Sequence, residues 1–178
     1  YSRFLSYCKH NVSFNHFIDG EKSVLKYLIV KALGFDVGGA IHLVRDPRAY
    51  VQSRLKDMGE NLLKSAAHIE MAALEWKQIH GRIRRLADRG PYHRIIYEQL
   101  IQDVDSELPK LMKFIGVQPE ILLSPPRDQR KHHLMGNKML FTFNGTIRHD
   151  QSWKENLSLD SQKRIRMLAE PLFTELGY

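Results

Sequence analysis

The chain has 178 residues, 43 % apolar and 26 % charged, ordinary values for one soluble globular domain with a core of its own. Its net charge of +7 points to anionic partners: a nucleotide, an acidic polysaccharide, nucleic acid or a membrane surface. The single cysteine, Cys8, excludes an internal disulfide and a cysteine-rich metal site, and no stretch reaches the roughly 20 apolar residues of a membrane span or reads as a signal peptide.

Residues 1–20 are weakly patterned. The apolar run 27–33 reads as a strand or a helix end, and 34–39 is a turn-rich break. Residues 40–44, Ala-Ile-His-Leu-Val, read as a short apolar strand with His42 as an interior or edge position. Asp46 suits a helix N-cap and Pro47 the first helical position, which predicts a helix over 47 to about 56. A strand feeding a helix is where α/β proteins hold anions, because free helix N–H groups and the helix dipole favour negative charge there. Arg45 and Arg48 add fixed positive charge at that junction. The plainer reading of Asp46-Pro47-Arg48 is a helix cap with solvated arginines.

Residues 65–86 form the longest helical pattern, with Ala66, Ile69, Ala73, Trp76, Ile79 and Ile83 on one face and cations opposite. Arg82, Arg84 and Arg85 fall in its last turns, where cations suit the dipole. This group and the cations of 127–131 lack the aromatic interleaving of a nucleic-acid binder, so nucleic acid is not the expected partner. Residues 92–100 read as a strand running into a turn, with Glu98 capping that turn. Residues 105–115 read as an amphipathic helix closed by Gly116 in the C′ position. The polar stretch 124–150 reads as a long irregular loop, and 158–176 as a final amphipathic helix. Adjacent His132 and His133 do not form a metal pattern. Strands alternating with helices predict a mainly parallel sheet in a single α/β domain over 1–178.

The run 43–49, Leu-Val-Arg-Asp-Pro-Arg-Ala, followed by Ser53-Arg54, resembles the 3′-phosphate-binding motif of the carbohydrate sulfotransferases. A second stretch, Ile95-Ile96-Tyr97-Glu98-Gln99-Leu100 and then Phe114-Ile115-Gly116, resembles the Arg-Tyr-Glu-Asp-Leu to Phe-Leu-Gly pattern of the same family, with Ile96 and Gln99 as departures. A third, His133-Leu134-Met135-Gly136-Asn137-Lys138, then Asp150-Gln151-Ser152-Trp153 and a closing Leu176-Gly177-Tyr178, resembles the family's late segment in order and spacing. Leu140 replaces an expected Arg there, and Lys138, Arg130 or Lys131 can substitute electrostatically. Trp153 reads as a packing anchor.

The resemblance implies a P-loop-NTPase-like three-layer α/β domain that transfers a sulfuryl group from 3′-phosphoadenosine 5′-phosphosulfate (PAPS) to an acceptor hydroxyl, on a carbohydrate or another acceptor. It implies donor contacts from Arg45 and Ser53 to the 3′-phosphate and from Tyr97 near the adenine, and it counts Arg48, with Gly136, Asn137 and Lys138 of the late segment, among the donor-binding residues. The family also carries a Gly/Ser/Lys loop for the 5′-phosphosulfate. Gly38-Gly39 lacks the Lys and Ser/Thr for it, so this chain is expected to represent the part of the fold after the first strand and loop, and no catalytic lysine or base is named in it. The alternative is a non-catalytic relative that binds a nucleotide or an anionic partner. Three Asn-X-Ser/Thr sequons, at Asn11, Asn144 and Asn156, exceed the chance expectation of about 0.5. They lean toward the Golgi lumen for a eukaryotic chain, with the cytoplasm otherwise and any membrane anchor ahead of residue 1.

Overall fold

The computed structural model describes residues 16–20, 23–118 and 149–178, together with positions 3, 6 and 10. The chain divides into two compact units, Tyr1–Val37 and Gly38–Tyr178. In the first, the run that reads as strand or helix end is helix α1 (Val24–Ala32). Ser23 caps it, its Oγ accepting from the Lys26 N–H at 3.1 Å, and the helix closes into Gly34 at φ +80°.

In the second unit, strand β1 (Ala40–Val44) buries Ala40, His42 and Val44 and turns Ile41 and Leu43 outward. Helix α2 (Pro47–Met58) follows, with the Asp46 carboxylate accepting from the Arg48 N–H at 2.8 Å. A 3₁₀ turn (Glu60–Lys64) leads to α3 (Ala66–Arg84), and a second 3₁₀ turn (Arg85–Asp88) leads to β2 (Tyr92–Ile96). The strands are parallel, in register from Ala40 opposite Tyr92 to Val44 opposite Ile96. Parallel pairing needs a long crossover, which α2 and α3 supply. Gly39 leads into β1 where the backbone runs close to its neighbours: a Cβ there would stand 2.7 Å from the Phe114 ring and 2.9 Å from the Pro91 carbonyl oxygen.

Two expectations are corrected past β2. The strand does not run into a turn; helix α4 (Tyr97–Gln102) starts on the next residue. Helix α5 (Val104–Ile115) then begins behind an Asp103 cap and closes at Gly116 in the left-handed conformation, φ +74°. The single final helix over 158–176 is interrupted. A short helix α6 (Trp153–Asn156) precedes α7 (Leu159–Ala169), capped by Ser158, and Pro171 separates α7 from α8 (Leu172–Glu175). Proline has no N–H to donate and disfavours helical backbone in the residue before it, so Glu170 is extended at ψ 151°.

The core of this unit lies among α2, α3 and the C-terminal helices. Leu55, Ile69, Ala73, Trp153 and Ile165 belong to one cluster; Val44, Trp76, Phe173 and Leu176 belong to another beneath the sheet's C-terminal end. Trp76 is fully buried, and its indole N–H donates to the Arg45 carbonyl at 2.9 Å. The core thereby fixes the backbone at the end of β1. Among the described residues the fold is mixed α/β, mostly helical, with a two-stranded parallel sheet.

Candidate functional site

The register places Val44 and Ile96 side by side, so the chain leaves both strands at the same end of the sheet, through Arg45 and Tyr97. The Arg45 guanidinium sits over the Tyr97 ring, 5.4 Å from its centroid, a cation–π contact. Two side chains named separately in the sequence, 52 positions apart, thus form one cation-on-aromatic platform at the carboxyl ends of parallel strands. Such ends are where open α/β sheets take ligands. A third group faces this platform: Arg45 NH2 stands 3.7 Å from the Asp150 carboxylate. Asp150 is held locally, accepting from the Ser152 N–H at 3.0 Å. Its hydrogen bonds from Ser152, and secondarily Arg45 and Lys56, keep its carboxyl below the usual range.

Arg48, three residues on, has a different environment. Its guanidinium donates twice to the Asp46 carboxylate, at 2.9 and 2.5 Å, and lies 4.1 Å from the centroid of the Trp153 ring. Asp46 is buried and caps α2 at the same time. The Arg48 charge is therefore matched by a carboxylate before any ligand arrives. Trp153 is buried within the core, in keeping with a packing role.

Glu98 does not cap the turn after β2. Its Oε1 accepts from the Asp46 backbone N–H at 2.9 Å, and its Oε2 accepts from the Tyr178 hydroxyl at 2.7 Å. It joins the β1–α2 junction to the C-terminal residue. Burial, and then the neighbouring Glu98 carboxylate, raise the Tyr178 phenol far above its ordinary pKa, so it stays protonated and donating. A groove of about 380 Å³ opens beside this junction, lined by Arg48, Glu98, Gln99, His149, Gln151 and Lys154 among others.

Ser53 lies two turns into α2 on an exposed surface, and no hydrogen bond joins it to Arg45, Arg48 or Tyr97. Gly136, Asn137 and Lys138, with Arg130, Lys131 and Leu140, lie outside the described residues. Among the described residues no cluster of three His, Cys, Asp or Glu could hold a metal, and no helix is long and apolar enough to cross a membrane.

Below the platform is a group that sequence reasoning did not anticipate. His42 Nε2 stands 2.7 Å from His80 Nδ1, and His42 Nδ1 stands 2.5 Å from the Tyr92 hydroxyl. An N–H···N hydrogen bond needs one N–H and one lone pair, so the two rings cannot both be cations and keep it. Burial, then His80 and Arg94, lower the His42 pKa to about 3, and burial lowers that of His80 to about 4. Both rings are neutral near pH 7.

Residues 35–120 match the model of the Sulfotransferase family. The match begins ahead of β1 and ends just past α5. It therefore includes Arg45, Arg48, Ser53, Tyr97 and Glu98, and supports a sulfotransferase relationship with sulfuryl transfer as the class of chemistry. Comparisons with curated proteins and with solved structures give no significant match.

Proposed function

We propose that this chain belongs to the sulfotransferases and binds PAPS as its sulfuryl donor, transferring the group to a hydroxyl on a carbohydrate acceptor within a P-loop-NTPase-like fold. The observation that carries the reading is the Arg45–Tyr97 platform at the ends of β1 and β2. A fixed guanidinium suits a phosphate, and an aromatic ring suits a purine. In this reading Arg45 takes the 3′-phosphate, Tyr97 lies near the adenine, and Ser53 together with Gly136, Asn137 and Lys138 add polar contacts. Arg48 contributes by holding Asp46, and through it the start of α2 next to Arg45.

The reaction on this reading is an in-line displacement. The acceptor oxygen forms a bond to sulfur, the bridging S–O bond breaks, and 3′,5′-ADP (PAP) leaves with the electron pair. The acceptor proton passes to a base. Cationic groups at the donor stabilise the charge that develops on the leaving phosphate. Asn156, one of the three sequon asparagines, ends α6 on an exposed surface, which is compatible with glycan attachment and a Golgi-lumen location.

The test is calorimetric titration of PAP into the full chain, paired with transfer of labelled sulfate from PAPS to a glycan panel. Binding that falls about 10- to 100-fold in Arg45→Ala supports the assignment, the size expected for a hydrogen-bonded charge. Unchanged binding in that variant overturns it. PAP binding without transfer to any acceptor, by a protein that includes the 5′-phosphosulfate loop, would instead describe a nucleotide-binding relative.

A further inference from the structure

Arg45 and Arg48 each face a carboxylate, but the two pairs are built differently. Arg48 and Asp46 meet through two hydrogen bonds around a buried carboxylate. Arg45 and Asp150 stand 3.7 Å apart, beyond the about 2.7–2.9 Å of a charge-assisted bond. The Asp150 side chain is 54 % exposed and the Arg45 side chain 29 % exposed. Each partner is positioned independently of the other. The Arg45 backbone is fixed by the Trp76 indole and its guanidinium by the Tyr97 ring, whereas Asp150 is set by the Ser152 N–H. A loose, solvated pair of this kind contributes little to stability. It does place a negative charge beside the cation that the proposed function assigns to an anionic ligand.

We propose that Asp150 is an internal competitor that sets the affinity and selectivity of the Arg45 subsite: its carboxylate neutralises Arg45 loosely and yields to a phosphate dianion that can hydrogen-bond the guanidinium more closely. This inference rests on the assignment of Arg45 to the donor phosphate. Weakly charged or singly charged anions gain less from Arg45 and meet the same carboxylate, so they displace it poorly. Asp150 thus acts as a charge threshold for the site, while Asp46, buried and accepting three hydrogen bonds from Arg48, cannot be exchanged in this way.

The test compares wild type, Asp150→Asn and Arg45→Ala by titration with PAP at fixed ionic strength, with adenosine as a probe that carries no phosphate. The Asn amide oxygen can still accept from the Ser152 N–H, and the side chain is exposed, so the fold is retained; thermal unfolding of each variant checks this. The expected result is a rise of about 3- to 10-fold in PAP affinity for Asp150→Asn with adenosine affinity unchanged. Unchanged or weakened PAP binding overturns the inference, as does an equal rise for adenosine, which would mean the variant opens space rather than removes charge. The two readings fail separately. If Arg45→Ala binds PAP like wild type, the Arg45 assignment falls. If Arg45→Ala loses binding but Asp150→Asn is unchanged, only the competitor falls.

Discussion

The two sides of the β1–α2 junction treat charge in opposite ways. On the paired side, Asp46 and Arg48 satisfy each other against Trp153, Glu98 accepts from the Asp46 N–H and the Tyr178 hydroxyl, and the His42–His80 pair is uncharged. On the other side, Arg45 stands beside an aromatic ring and a carboxylate held at a distance. One four-residue motif therefore splits its labour. Arg48 is spent on the fold, and the proposed function gives Arg45 to an anion. The lesson is that an arginine in a binding motif has to be judged by whether its charge is already spent.

The largest expected effect comes from the histidines of the paired side. Their folded pKa values, about 3 and about 4, lie below the ordinary 6.5, so the unfolded chain binds more protons. Stability is complete above about pH 6.5 and is lost as pH falls toward 4 and then 3. Near pH 5 the unfolding free energy should change by about 2–3 kcal/mol per pH unit, the slope for two protons taken up. Urea titrations from pH 4.5 to 7 measure this, and His80→Gln should flatten the slope. A wild-type slope near zero would mean that the pair is already charged in the folded chain.

Next in size is Arg48→Ala, which leaves the Asp46 carboxylate buried without its cation and should cost about 3 kcal/mol in chemical denaturation. Glu98→Gln should cost less, about 1–2 kcal/mol, by weakening the links to the Asp46 N–H and Tyr178. Arg45→Ala should cost under about 1 kcal/mol, because its ion pair is loose and exposed. If Arg45→Ala destabilised the chain as much as Arg48→Ala, the division between the two sides would collapse.

Much of the junction was legible because its chemistry is local. Asp46, Pro47 and the apolar run before them define the strand end, the cap and the first helical turn within a few residues, and the structure follows them. Helix α5 was legible for the same reason, through Gly116 at its end. The break at Pro171 is local too: 158–176 reads as one amphipathic helix, and the proline's missing N–H interrupts it. Glu98, Asp150 and the His42–His80 pair were a different matter. Glu98 reaches Asp46 across 52 positions and Tyr178 across 80, and His42 reaches His80 across 38. Asp150 stood in a recognised motif, yet nothing near it in the chain names Arg45 as its partner. Such contacts are set by the parallel register and the packing of α3, not by spacing.

The most direct measurement is PAP affinity and unfolding free energy determined side by side for Arg45→Ala and Arg48→Ala. The account predicts that Arg45→Ala loses at least about 10-fold in affinity while keeping wild-type stability within about 1 kcal/mol, and that Arg48→Ala shows its main loss in stability. Wild-type PAP affinity in Arg45→Ala would contradict it.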